Sequence, residues 1–332
     1  MVALLCARSA AEVVRSAVAA GEFYPEKSKE LRDTVRRYIK EGEFPLPNGR
    51  ILACLVPHSA YTYCGSVLGS AVGGLQPRQY RRVVMLGPSH TTRFEACSVP
   101  QADSFFTPLG FVLLDHDYIE AIARSPFVSE RALHYNRPQW TPLHEVEFSL
   151  EVPLPFFQDR LDTFWFVPIL VGDLSEPQGA LRAGKIQAIA ETLQRYADER
   201  TLFVASSDLT HCGNDFHFTP QGENMLTAAE ALDKALIERI LAKDAEGFHA
   251  LCAGTGANPC GAEAIEILLH LLPKSAVGVL TRYDNSARVT GRNDKRVGYA
   301  GIVFVDPTKP PLSGEVPETP APKSTPETPP GP

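Results

Sequence analysis

The chain is expected to fold as an α/β domain, a central and mostly parallel sheet with helices on both faces. Three observations carry that expectation. Six short aliphatic runs are spread along the sequence, segments of helical periodicity alternate with them, and the runs are continuous rather than alternating in polarity. Continuous apolar runs belong to strands buried on both faces, which is the condition inside a sheet covered by helices. With 332 residues, 44% hydrophobic and 21% charged, the chain can build a sizeable core without covalent staples.

Taken in order, Lys27 to Lys40 reads as a helix, with Leu31, Val35, Tyr38 and Ile39 on one face. The strands "ILACLV" (51–56), "RVVMLG" (82–87) and "FWFVPILVG" (164–172) follow, then a helix over Leu181 to Tyr196. "TLFVASS" (201–207) is the fourth strand, a helical pair spans Glu223 to Cys252, and "VGVLTRY" (277–283) and "VGYAGIVFV" (297–305) complete the set. No internal repeat occurs and no linker divides residues 20 to 305, so residues 14–305 are read as a single domain after a flexible stretch at 1–13. From Asp306 onward, "DPTKPPLSGEVPETPAPKSTPETPPGP" places ten prolines in 27 residues. That composition has almost nothing to bury and predicts a disordered tail over 306–332.

A formal charge of -7 argues against nucleic acid as a partner, because phosphate-backbone binding needs a basic face. The seven cysteines, at 6, 54, 64, 97, 212, 252 and 260, make an odd count without a CxxC pair. This points to a reducing, cytoplasmic setting rather than a disulfide framework. No stretch of eighteen uncharged apolar residues is present, so no membrane span is expected.

In open α/β sheets the working groups collect beyond the carboxyl ends of the strands. Pro57 and His58 follow the first strand, His90 follows "VVMLGPS", and Asp208 and His211 follow "LFVASS". A fourth element, "GTGANPCGAEAIEILLHLL" (254–272), is a turn running into an apolar helix with Cys260 at its start. Amide groups and the helix dipole there favour a thiolate. Two neutral imidazoles and one thiolate make a three-ligand metal site with room for water or substrate. HExxH, Walker, GxGxxG and GxSxG patterns are all absent.

Eight segments carry a resemblance: "GEFYP" (21–25), "PHSAYTYCG" (57–65), "LGPSH" (86–90), "FTPLG" (106–110), "VPILVG" (167–172), "SSDLTHCG" (206–213), "PCGAEAI" (259–265) and "VGYAGIVF" (297–304). In this order and context they resemble the Memo family, called AmmeMemoRadiSam system protein B in prokaryotes, over about residues 14 to 305. The resemblance implies a fold related to class III extradiol dioxygenases, which open catechol rings with non-haem Fe(II). It implies His58, His90 and Cys260 as metal-site residues, and Asp208 and His211 as the groups behind them that move protons. It also implies a link to receptor-tyrosine-kinase signalling in animal members and to radical-SAM and AMMECR-type proteins in prokaryotes. Family members often read "EHSLEVQLPF" where this chain has "EFSLEVPLPF" (147–156), so Phe148 stands in place of a histidine. His144 is expected to fill that space if the segment is helical. At Ser59-Ala60, where an Ala-Gly pair is common, only a small change of loop is expected.

Three functional readings follow. The first is an oxidoreductase of dioxygenase type, with Fe(II) held by His58, His90 and Cys260 and His211 moving protons. A thiolate is soft, however, and suits Cu(I) or Zn(II), so these are the alternative metals. The second is a non-catalytic protein on the same fold that recognises a small molecule or peptide, with Tyr61, Tyr63 and Trp140 as aromatic walls. The third is metal-assisted hydrolysis with His211 or Asp208 as base.

Overall fold

The computed structural model describes residues 12–129, 134–135, 141–174, 179–222 and 224–314. All six aliphatic runs are strands: β1 (Arg50–Val56), β2 (Arg82–Pro88), β3 (Trp165–Val171), β4 (Thr201–Ser206), β5 (Val277–Asn285) and β6 (Lys295–Asp306). They stand side by side in the order β5–β6–β1–β4–β2–β3. The four central strands, β1, β4, β2 and β3, are parallel. β6 runs antiparallel to both β1 and β5, and the short strand Cys97–Ser98 runs antiparallel to β3. The sheet is therefore mixed, parallel at its centre and antiparallel toward both sides. The cause is connection length: β5 and β6 are joined only through the short helix Ser286–Thr290, and a parallel crossover needs a dozen residues or more.

The runs of the central strands are buried as their polarity predicts, whereas β5, at the edge, is mostly half-buried with Val277 exposed. Every residue of β2 is buried, and all of β3 after Trp165. The principal helices are α1 (Ser28–Glu41), α2 (Tyr61–Val72), α3 (Gly179–Tyr196), α4 (Met225–Leu241), α5 (Ala245–Thr255) and α6 (Ala262–Leu271). The chain passes from β1 through α2 to β2 in one direction across the sheet and returns from β3 through α3 to β4 in the other. Right-handed crossovers then place α2 and α3 on opposite faces. Leu31, Val35 and Ile39 are the buried stripe of α1, which packs on α2. That crossing is close because α2 carries glycine at 69, where a Cβ would stand 2.2 Å from the Tyr38 carbonyl oxygen. On the other face α3 packs on α6, and α6 on β4 and β2.

This winding has one consequence for function. β4 comes last of the four parallel strands in sequence but inserts between β1 and β2. The carboxyl ends of β1, β4 and β2 are thus neighbours, a topological switch point of the kind that hosts ligands in open α/β sheets. A smaller sheet joins Val14–Arg15 to the hairpin Ser104–Thr107 and Gly110–Leu113.

The boundary expected at 306 moves. Asp306 is buried, and residues 310–313 lie against the domain: Pro310 accepts from Arg50 (3.3 Å), Leu312 from Gln79 (3.3 Å) and Ser313 from Arg200 (3.2 Å). Carbonyls accept these bonds, so proline content does not prevent docking. Residues 1–11 and 315–332, which hold most of the two expected flexible ends, lie outside the described residues. Among the described residues no helix is long and apolar enough to cross a membrane.

Candidate metal centre

The end of β1 delivers His58, the end of β2 delivers His90, and the turn before α6 brings Cys260 in from the side. Each offers one donor atom, and the three atoms lie within 4.8 Å of one another. The imidazole rings are 5.1 Å apart at 80°, and Cys260 Sγ lies 3.1 Å from His58 Nε2.

The hydrogen bonds behind the two rings select the nitrogen that faces the centre. Ser206, the last residue of β4, donates its hydroxyl proton to the Ser149 carbonyl at 2.7 Å. Its lone pairs therefore accept at 2.8 Å from Nδ1–H of His58, which leaves Nε2 with the lone pair. His90 Nδ1 meets Oε1 of Glu147 at 2.9 Å. A carboxylate only accepts, so Nδ1 of His90 also carries hydrogen and Nε2 is again the ligand nitrogen. Glu147 is buried and also receives the backbone amides of His90 (2.5 Å), Phe148 (3.0 Å) and Ser149 (2.9 Å).

Burial pushes the His58 imidazolium pKa down to about 4, with the Asp208 charge opposing in part. For His90 burial acts in the same sense, but the Glu147 hydrogen bond and charge outweigh it and raise the value. Glu147 itself is lowered: burial opposes ionisation, and the His90 contacts and backbone amides overcome it. The Cys260 thiol is driven well up by burial, with the Asp208 charge adding to that. The thiolate expected from a helix start is thus not favoured by the protein alone. Cys260, half-buried, sits two residues before α6, where one amide, Asp208 N–H at 3.2 Å, reaches its sulfur.

Residues 15–303 match the family described as Memo-like protein. The chain belongs to the Memo-like family. It is 30% identical to a MEMO1 family protein of Archaeoglobus fulgidus over 86% of this chain and 97% of that protein. It is 30% identical to the MEMO1 family protein MK0963 of Methanopyrus kandleri over 87% and 98%, and 27% identical to Protein MEMO1 of Homo sapiens over 87% and 96%.

In this Memo-like chain the remaining expected site residues have different fates. Asp208 is buried, with Oδ1 accepting the His58 amide at 2.9 Å and Oδ2 the Ser59 hydroxyl at 2.6 Å. Both oxygens thereby anchor the loop that carries His58. Ser59 is what completes that anchor. His211 is half-buried, packs edge-on to Phe216 at 5.1 Å and lies near enough for its charge to act on His58. Among the described residues its ring nitrogens have no hydrogen-bond partner. Tyr61 is not a pocket wall: it is buried between Tyr24 and Phe156, and its hydroxyl donates to the Val152 carbonyl at 2.7 Å. An amphipathic side chain at a helix start satisfied its hydroxyl inward. Tyr63 is exposed, and Trp140 lies outside the described residues.

Phe148, where the resemblance implies a histidine, lies against both candidate ligand rings. Its ring stacks on His90 at 4.7 Å and 12°, stands edge-on to His58 at 6.2 Å and contacts Phe23 at 4.5 Å. His144 does not replace it. The segment there is one 3-10 turn, Leu143–Glu145, and His144 points away, its Nε2 at 3.1 Å from the Ser98 carbonyl. Burial pushes its pKa down to about 3.

Sequence reasoning missed Ser206, Ser149 and Glu147, the groups that orient the ligands. Ser206 is adjacent to the strand-end cluster it serves, whereas Glu147 lies 57 residues from His90 and no spacing rule connects them. As a donor set, two imidazoles with Nε2 lone pairs and one sulfur suit Fe(II), Cu(I) or Zn(II) and not Mg²⁺ or Ca²⁺, which require oxygen ligands.

Proposed function

We propose that this Memo-like protein binds one redox-active transition-metal ion at His58, His90 and Cys260, with Fe(II) as the native metal and Cu(I) or Zn(II) as competitors. The observation that carries the reading is the convergence of three donor atoms from three separate loops, with both imidazoles oriented by hydrogen bonds behind them. Ligands oriented before the ion arrives lower the cost of binding it.

The finer reading is an oxidoreductase of dioxygenase type acting on a small aromatic molecule. Bound at this site, the ion would supply redox and Lewis-acid chemistry. The chain's own residues supply the rest. Phe148 walls one side of the centre with an apolar ring, and Phe23 backs it. His211, whose ring has no hydrogen bond among the described residues, is the group placed to hold or move a proton. Asp208 and Ser59 keep the His58 loop in place. Free cysteines in the fold, six among the described residues, suit a reducing cytoplasm.

Anaerobic titration of Fe(II), Cu(I) and Zn(II) into wild type and Cys260→Ala tests the site. One equivalent bound by wild type and lost in the variant, with the fold retained, is the expected result. Binding that is unchanged in both Cys260→Ala and His90→Ala would sink the assignment. Oxygen uptake with catechol-type compounds then separates an oxidoreductase from a binding protein on the same fold.

A further inference from the structure

Behind Glu147 lies a buried polar network. Arg15, wholly buried, donates from Nε to the His144 carbonyl (2.8 Å), from Nη2 to the Glu147 carbonyl (2.6 Å) and from Nη1 to the Ser16 carbonyl (2.8 Å). Nη1 also donates to Oε2 of the equally buried Glu151. Glu151 in turn accepts the amides of Val18 and Ala19, each at 2.9 Å, and the Tyr24 hydroxyl. One guanidinium thus grips two carbonyls three residues apart and ties both to the N-terminal segment, residues 15–24.

A dry ion pair of this kind is a weak source of stability, because desolvation offsets the attraction, and apolar residues of similar size often do as well. What it provides is direction. A planar guanidinium fork meets several acceptors at fixed angles at once, which a lysine ammonium does not. Here the fork holds the backbone of the residue whose carboxylate holds His90.

We propose that Arg15 and Glu151 are positioning residues of the metal centre: their buried pair fixes the backbone at Glu147, so that its carboxylate keeps His90 with Nε2 turned toward His58 and Cys260. This rests on the metal-binding reading above. Within the N-terminal segment it is Arg15 that reaches the backbone at Glu147.

The test uses the full chain and two readouts, Zn(II) affinity by competition with a chromophoric chelator and the imidazole nitrogen NMR signals of the metal-free protein at alkaline pH. Arg15→Lys keeps a cation beside Glu151 but cannot span both carbonyls. It is expected to weaken Zn(II) binding by about tenfold or more and to convert His90 from a single Nδ1–H tautomer to a mixture, with His58 unchanged. Tyr24→Phe removes one hydrogen bond to Glu151 and leaves both carbonyl contacts; its Tm falls while affinity and the His90 signal stay at wild type. If Arg15→Lys does not fold, Arg15→Met/Glu151→Met, which removes both charges from the dry site, carries the same readouts. A folded variant of either kind with wild-type affinity and an unchanged His90 signal overturns the proposal. Failure of wild type to bind metal is a different result: it removes the metal reading, while the His90 signal still decides whether Arg15 positions it.

Discussion

His58 and His90 reach the same point from either side of β4, yet the chain holds them by different chemistry. The His58 arm is dry and neutral: the ring hydrogen bond goes to a serine hydroxyl that passes its own proton to a carbonyl, and burial drives the imidazolium pKa down to about 4. The His90 arm is ionic: a buried carboxylate accepts the hydrogen bond of the ring N–H and raises the imidazole's affinity for protons, and the backbone of the same residue is held by Arg15. One arm is ready to coordinate at any physiological pH. The other holds a proton more firmly than a free imidazole, and the Cys260 thiol, driven up by burial, releases one on coordination, so metal uptake should be linked to pH through His90 and Cys260.

The arms can be broken separately. Glu147→Ala should have the largest effect, since it deprives the ring and three backbone amides of their acceptor. A loss on the order of 3 kcal/mol by urea unfolding is expected, together with metal affinity about 10- to 100-fold lower. If the variant keeps wild-type affinity, the ionic arm is not what orients His90.

Next in size is the pH response of the metal-free protein, where the arms have opposite signs. The unfolded chain protonates histidine near 6.5 and folded His58 only near 4, so the unfolded state binds more protons in between. The His58 contribution is present above about 6.5 and is lost as pH falls toward 4, on the order of 3 kcal/mol at most. His144, depressed to about 3, adds a loss of the same sign. His90, raised, contributes stability that is present below its unfolded value and lost as pH rises through its folded value. Urea midpoints against pH in wild type and His58→Gln check this: the variant should show a shallower fall on the acid side, and an unaltered slope would contradict the dry-arm account.

Ser206→Ala should leave His58 Nδ1–H without its acceptor, at about 1–3 kcal/mol, and allow the ring to turn, with a smaller loss of metal affinity than Glu147→Ala. Calorimetry of both variants side by side would rank the arms, and equal losses would erase the distinction drawn here. Smallest of all, Cys97→Ala, in a buried strand away from the centre, should cost about 1 kcal/mol and leave metal stoichiometry at wild type.

Strand ends were legible because two rules act locally: continuous aliphatic runs mark buried strands, and polar residues just beyond them mark the crevice. That is why His58 and His90 stood out, while Cys260 stood out as the cysteine at the start of an apolar helix. The edge of the sheet was less legible. Whether β6 runs with or against β1 depends on the length of the connection that precedes it, and hydrophobic pattern does not encode direction.

The sequence by itself determined the family, the six long strands, the helices α1 and α3 to α6 and the three candidate donor residues, because each is written in a contiguous stretch or a short motif; α2 was not read from it. Only the tertiary structure decided what stands behind the donors. It assigned Asp208 to loop anchoring, turned Tyr61 and His144 inward, set Phe148 on His90, and brought Ser206, Glu147 and Arg15 into one chain of hydrogen bonds. Those roles depend on angles and distances between residues 57 to 150 positions apart, which arise only once β4 has inserted between β1 and β2 and the loops have closed over its end.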